Sequence, residues 1–555
     1  MENLSQEKRK RMIAFLKKIK EEHKDDDETL IALDEIENEL NSKKYGLVWE
    51  KHEEKVDRMM QDNIPVFTDV KEREIKATDE NSYNFLLEGD NLHSLKLLEK
   101  THAGKIDVIY IDPPYNTGTD KFKYDDKIID DKDTFRHSKW TSFMYERLSI
   151  AKNLCSNNWV LFISIDNNEI ATLKMLCDDI FGESNFIGTI DWESKTKSQN
   201  TKSSYRKLQP KCEYILCYGS EGSKHKFNLI RTGYKEYSLH DKRGKYREHC
   251  LEEMNANGIR GRETMVFDIS DGVSTVSPGK GKQWKLGQDQ VATYIKRNDL
   301  FIRDGKVIIK MRPTDERTEK TIPFWAFLDK TIGTAESAKK ELSAIIGSNH
   351  GFDTVKPVKV LKQLCFHSTQ KDSLILDFFA GSGTTAQAVL ELNKEDGGNR
   401  KFILCTNNEN NICEEITYER IKRVIYGYSY VEKKKNGDVT VNVEGIPANL
   451  KYFKTDFIPK DADDVSEELL SHIKEMVELE NGITIDNKHY LIILTDEQAD
   501  ELAKNWSNYE DVKAIYVSRN VLFTSEQNTL FRNTEIHTIP DYYFEYELKE
   551  LGESW

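Results

Sequence analysis

One stretch places a carboxylate, two prolines and a tyrosine where a buried strand ends. Ile106 to Ile111 is a short apolar run, and Asp112-Pro113-Pro114-Tyr115 follows it directly. Such a run closed by Pro-Pro reads as a central strand entering a tight loop. The prolines fix φ and remove two backbone donors. Their carbonyls remain, so the corner can present acceptors beside a carboxylate and a flat ring. That set suits an amino group on a flat heterocycle: the carboxylate and a carbonyl accept the two amino hydrogens, and Tyr115 stacks on the ring. An ordinary strand exit can also carry Asp-Pro-Pro, so the reading needs a second element.

Ser373 to Thr385, SLILDFFAGSGTT, supplies it. Leu374 to Leu376 reads as a strand ended by Asp377. Phe379-Ala380 then leads through Gly381-Ser382-Gly383 into a helix starting near Thr384. Glycines let a ligand approach the backbone closely, and a helix start offers free N–H groups. The stretch lacks the third glycine of the dinucleotide fingerprint and the lysine of a phosphate loop, which argues against both ligands. A further strand, Lys401 to Thr406, follows, with Glu409 just past its tip, where an acid commonly holds ribose hydroxyls.

DPPY and DFFAGSG together resemble the amino-directed DNA methyltransferases that use S-adenosylmethionine, and their order matches the β class. LLEGDNL (Leu86 to Leu92), WTSFMYERL (Trp140 to Leu148), FIGTIDW (Phe186 to Trp192) and FDTVKPVKVL (Phe352 to Leu361) are similar to the modification (Mod) subunits of type III restriction-modification systems. The resemblance covers roughly residues 80 to 430. It implies a catalytic set of Asp112, Pro113, Pro114 and Tyr115. It implies a cofactor set of Asp377, Phe379, Ala380, Gly381, Ser382, Gly383, Thr384, Thr385 and Glu409. Asp90 joins that set beside the cofactor's adenine, with a plain helix N-cap as the competing reading. Lys356 joins it near the methionine end, with a surface lysine ahead of a helix as the alternative.

The resemblance further implies that Asp112 and the Pro113 carbonyl orient the target amine for direct transfer to a base flipped out of the duplex. Asp at the first motif position favours adenine N6. Cytosine N4 is the alternative, and a non-catalytic DNA-specificity subunit is a second one. The expected partners are double-stranded DNA, a second copy of the chain, and a type III restriction (helicase-nuclease) subunit, since the sequence carries no Walker loop or nuclease motif.

The elements that must position these residues alternate. Trp140 to Asn153 reads as an amphipathic helix, Trp159 to Ile165 as a strand buried on both faces, Asn168 to Phe181 as a helix and Phe186 to Trp192 as a strand. This predicts a doubly wound, mostly parallel α/β sheet, a Rossmann-like arrangement. The expected organisation is a helical segment (1–62), a first methyltransferase part (63–192), an inserted target-recognition domain (193–343), a second methyltransferase part (344–432) and a small α/β C-terminal domain for assembly (433–555). Within it Asn63 to Glu80 reads as a polar connection. HYLIILT, AIYVSR and NVLFTS read as the C-terminal strands. Asp120 to Asp133 reads as a mobile loop beside the site.

The 555 residues carry a net charge of −15. The charge is uneven: Asp191 to Lys320 holds 27 Lys and Arg against 18 Asp and Glu, a local +9. Phosphate contacts need local positive charge, not a basic whole. Arg260, Arg262, Lys280, Lys282 and Arg312 are candidate base readers there, with a phosphate contact or plain solvent exposure as the alternative for each. Eight scattered cysteines without Cys-x-x-Cys indicate neither a zinc site nor a disulfide framework. No apolar run is long enough to span a bilayer, and MENLSQEKRKRM lacks the apolar centre of a secretion signal, so a cytoplasmic location is expected.

Overall fold

Short apolar strands and amphipathic helices set the frame, as their patterning requires. The computed structural model describes residues 4–24, 26–41, 49, 53–117, 136–197, 208–257, 261–352, 354–434, 437–550 and 552. Asp120 to Asp133 and Arg260 lie outside the described residues. Two compact units emerge: Met1–Lys226 with Trp325–Trp555, and Phe227–Phe324.

The first unit is built on a ten-stranded sheet. Its spatial order is Asn63–Asp69, Asn449–Pro459, Tyr83–Glu88, Lys401–Thr406, Leu374–Asp377, Ile106–Ile111, Cys155–Ile165, Glu213–Gly219, Phe186–Trp192 and Phe327–Leu328. Pairing is parallel from Asn449–Pro459 across to Cys155–Ile165. Asn63–Asp69 joins one edge antiparallel. Glu213–Gly219 enters antiparallel between Cys155–Ile165 and Phe186–Trp192. The mostly parallel α/β sheet is therefore the architecture.

Both sheet faces are covered, as a parallel sheet demands. Ile109, Ile111, Leu376 and Ile403 share a core with Leu95, Leu98, Met144 and Leu148 of the helices Asn91–His102 and Arg136–Leu154. Their strand neighbours Val108, Ile375 and Leu404 point the other way and are equally inaccessible. One carboxylate ties the register. Asp107 accepts from the Leu374 N–H at 3.1 Å and from Ser156 Oγ at 2.9 Å, joining three adjacent strands.

Three readings of the sequence change. Asn63–Asp69 is a strand and not a polar connection; Pro65 is tolerated because the strand lies at the sheet edge. Asn449–Pro459 lies inside the main sheet. Lys451 interrupts its apolar pattern, and burial of that ammonium is met by Asp69, Glu74 and Glu478 at 3.3, 3.5 and 3.1 Å. The C-terminal strands are Tyr490–Ile493, Ala514–Ser518 and Glu535–Ile539, all parallel. NVLFTS is not among them, because Thr524 caps the helix Ser525–Leu530. Glu535–Ile539 escaped notice because four of its five residues are solvent-facing.

Phe227–Phe324 is β-rich. Its largest sheet has the order Leu300–Arg303, Lys306–Met311, Gly244–Cys250, Leu239–Asp241. Leu251, Ile269, Trp284, Val291, Leu300, Val307 and Ile309 form its own small core. Arg312 is buried and donates to Asp241 at 2.8 and 3.0 Å, to Asp299 at 2.6 Å and to the Gly244 carbonyl. It braces this unit and has no free guanidinium to offer a base edge. Arg262, Lys280 and Lys282 are exposed, Lys282 beside Glu253 at 3.2 Å. Removing one partner of a buried ion pair strands the others, at roughly 3 kcal/mol. Arg312→Met should therefore unfold Phe227–Phe324 early. Limited proteolysis should show faster cleavage within 227–324 than in wild type; unchanged cleavage would remove Arg312 from this role.

Candidate functional site

The first corner is held from both sides. Ile106–Ile111 delivers Asp112 to the carboxyl edge of the sheet. The Trp140 indole N–H donates to the Pro114 carbonyl at 2.7 Å. One of the two proline carbonyls is thus spent on fixing the corner. Asn116 turns through φ 56° and its amide reaches Glu169, whose carboxylate also takes His137 Nδ1 at 2.6 Å. Glu169 is fully buried, so the chain on either side of 118–135 is anchored on one side chain.

The Asp112 carboxylate is occupied. Tyr115 Oη donates to its Oδ1 at 2.8 Å. Lys356 Nζ lies 2.8 and 2.9 Å from its two oxygens and 2.8 Å from Tyr115 Oη. Glu213 completes the group, 3.4 Å from the tyrosine hydroxyl and 3.5 Å from Lys356. Burial and the neighbouring Asp112 and Glu213 push the Tyr115 hydroxyl well above its ordinary pKa. For Lys356 burial opposes the charge, but the two carboxylates outweigh it and raise its pKa. The lysine placed by the resemblance near the methionine end of the cofactor thus sits on the catalytic-motif aspartate.

The second corner leaves the neighbouring strand. Leu374–Asp377 pairs directly with Ile106–Ile111, so the two loops emerge side by side. Asp377 accepts from the Phe379 N–H at 3.0 Å and from Thr385 Oγ1, and burial raises its pKa to about 7. Gly381 and Gly383 take left-handed φ of 49° and 75°, and Thr384–Asp396 begins at once. A side chain at Gly383 would also press on Thr417 at 3.2 Å. Thr417 Oγ1 donates to the Gly381 carbonyl at 2.6 Å. Buried Arg420 donates to the Ser382 carbonyl and hydroxyl, to Thr384 Oγ1 and to Gln387. The turn is rigid and its shape is imposed from behind. Ala380 is buried and its N–H donates to the Cys405 carbonyl, stitching the turn to the next strand.

Asp90 caps Asn91–His102 through the Leu92 N–H at 2.8 Å, and Arg147 approaches it at 3.3 Å. Arg147 also holds Asn91, whose amide donates to the Phe378 carbonyl at 2.8 Å. Asp90 therefore stands beside the second corner while doing a cap's work. Glu409 is exposed in a short turn past Lys401–Thr406. Next to it Asn407 Oδ1 is buried with no hydrogen-bond partner among the described residues.

Sequence reasoning missed Glu213, Glu169, Arg147, Thr417 and Arg420. For Glu213 a signal existed: an acid opening the apolar run YILCY. The others are polar residues on helices or just before them, and only the tertiary fold shows what they hold.

With both corners at one sheet edge, the known proteins that share the pattern can be weighed. A family model described as DNA methylase matches residues 106–419. The chain belongs to the DNA methylase family. Both corners, Glu213 and Lys356 fall within the matched range, as does the inserted Phe227–Phe324 unit. The type III restriction-modification enzyme StyLTI Mod subunit of Salmonella typhimurium is 35% identical over 392 residues, covering 63% of this chain and 58% of that protein. The EcoPI Mod subunit of Escherichia phage P1 is 29% identical over 551 residues, covering 85% and 79%. The type II methyltransferase M.KpnI of Klebsiella pneumoniae is 35% identical over 345 residues, covering 58% and 79%.

In this DNA methylase the Asp377 carboxyl titrates higher folded than unfolded. Between its unfolded value near 3.8 and its folded value of about 7, the folded state binds the extra proton. Asp377 therefore lowers stability as pH rises through that window. From pH 5 to pH 8 the denaturant midpoint of Asp377→Asn should fall less, or rise more, than that of wild type. An equal change would mean the carboxyl is not held protonated.

Proposed function

We propose that the protein methylates the exocyclic amino group of adenine in duplex DNA, using S-adenosylmethionine, as the modification and specificity subunit of a type III restriction-modification system. The observation that carries this reading is the side-by-side exit of the Asp112-Pro-Pro-Tyr115 corner and the Asp377–Gly383 turn from neighbouring parallel strands. Ligands of open α/β sheets bind at that edge.

The residues fit the cofactor. Asp377, Phe379, Ala380, Gly381, Ser382, Gly383, Thr384 and Thr385 form a fixed turn with positive-φ glycines. Asp90 stands beside it, and Glu409 and the unpartnered Asn407 carboxamide oxygen lie past the adjacent strand tip, where hydroxyl donors are wanted. When bound, S-adenosylmethionine supplies an electrophilic methyl group. This chain's part is to hold the acceptor. Asp112 and the Pro113 carbonyl take the two amino hydrogens, and the Tyr115 ring offers a stacking face. An amino group inside a duplex cannot reach such a recessed corner, so the adenine must be extruded.

Phe227–Phe324 is the proposed target-reading unit, with exposed Arg262, Lys280 and Lys282 as DNA contacts. A homodimer, a separate restriction subunit and a cytoplasmic location belong to the same proposal. No helix among the described residues is long and apolar enough to cross a membrane.

Asp112→Ala should abolish tritium transfer from labelled cofactor to duplex DNA while cofactor binding persists. Nucleoside analysis of the wild-type product should give N6-methyladenine. Wild-type turnover in the variant, or N4-methylcytosine in the product, would overturn the assignment.

A further inference from the structure

The corner holds one more carboxylate than accepting an amine requires. Glu213 opens the antiparallel strand Glu213–Gly219. Because that strand runs against its neighbours, its first residue lies at the edge where the parallel strands end. Glu213 is thus placed within reach of Lys356 and Tyr115, at 3.5 and 3.4 Å.

Lys356 Nζ spends its donors on both Asp112 oxygens and on Tyr115 Oη. An amino group that donates to Asp112 competes with these contacts for the carboxylate's lone pairs. The ammonium is buried, with a side chain only 8% exposed, so it cannot simply retreat to water. Among the described residues one other carboxylate stands within its reach, that of Glu213.

The charge arithmetic points the same way. Asp112 and Glu213 bring two negative charges and Lys356 one positive. When the amine lone pair forms the new N–C bond, the S–C bond breaks and positive charge passes to nitrogen. The nitrogen then regains neutrality by releasing a proton to the Asp112 carboxylate that accepts its N–H. A corner with one net negative charge favours that cationic nitrogen, whereas Lys356 paired only with Asp112 opposes it. Resting on the methyltransferase reading, we propose that Glu213 is a positioning residue: it takes Lys356 from Asp112 when the target amine arrives and leaves the corner one net negative charge.

Other charged groups facing this cluster are Asp377 toward Asp112 and Asp166 toward Glu213, with Tyr110 near both carboxylates. Each is unchanged in the variants below.

The test is single-turnover methylation of duplex DNA amplified in vitro, with labelled S-adenosylmethionine. Glu213→Gln leaves Lys356 on Asp112 in a neutral corner, and Lys356→Gln leaves two carboxylates that share a proton and so costs Asp112 acceptor capacity; each should slow transfer about tenfold or more. The double variant restores one net negative charge and should be faster than either single variant. Glu213→Asp should retain more activity than Glu213→Gln. Wild-type rates in Glu213→Gln, or additive losses in the double variant, would overturn the proposal. A wild type that transfers no methyl group would overturn the functional reading instead, and a second readout on the free protein then decides. Lys356→Gln leaves two neighbouring carboxylates without their cation, so one binds a proton more tightly folded than unfolded. Its melting temperature should therefore fall more between pH 5 and pH 8 than that of wild type, and adding Glu213→Gln should remove the excess fall. No excess, or one that Glu213→Gln leaves in place, would sink the pairing.

Discussion

The hydrogen-bonded contact between Ile106–Ile111 and Leu374–Asp377 is what the site depends on. These strands lie far apart along the chain: the Leu374 N–H donates to Asp107 across 267 residues. Their register sets which residues emerge together. A slip of one residue would turn each side chain to the opposite face and separate Asp112 from the glycine turn. The surrounding buried polar groups guard against that slip. Asp107 ties three strands, Trp140 fixes the Pro114 carbonyl, and Thr417 with Arg420 shapes the turn from behind.

Charge inside the corner is paired and not merely buried. Asp112, Tyr115, Lys356 and Glu213 come from three separate segments and satisfy one another. Buried charges persist only in such company, because an isolated one costs far more than its packing returns. The same economy appears at Lys451 with three carboxylates and at Arg312 with Asp241 and Asp299. Those two clusters brace structure. The corner differs in standing at the ligand edge of the sheet, where a donor from outside can compete for the carboxylate.

Much of this was legible in the chain. Continuous apolar runs such as WVLFISI announced the parallel sheet, and the two loops announced themselves by Pro-Pro and Gly-Ser-Gly. What stayed hidden has a common physical origin. Lys451 disguised an interior strand because its charge is met by distant residues. Glu535–Ile539 lacked an apolar pattern because it is an edge strand. Glu213 could be seen as an acid opening a strand, but not as a partner of Lys356, since nothing local says that the strand runs antiparallel. Arg312 looked like a DNA contact because sequence shows charge and not burial.

The most direct measurement is a structure of the protein bound to duplex DNA containing its target, with S-adenosylhomocysteine in place of the methyl donor. The account predicts an extruded adenine whose amino group donates to Asp112, its ring against Tyr115, with the cofactor along the Gly381–Gly383 turn. An adenine left stacked in the duplex beside a filled cofactor site, or a cofactor bound away from that turn, would contradict it.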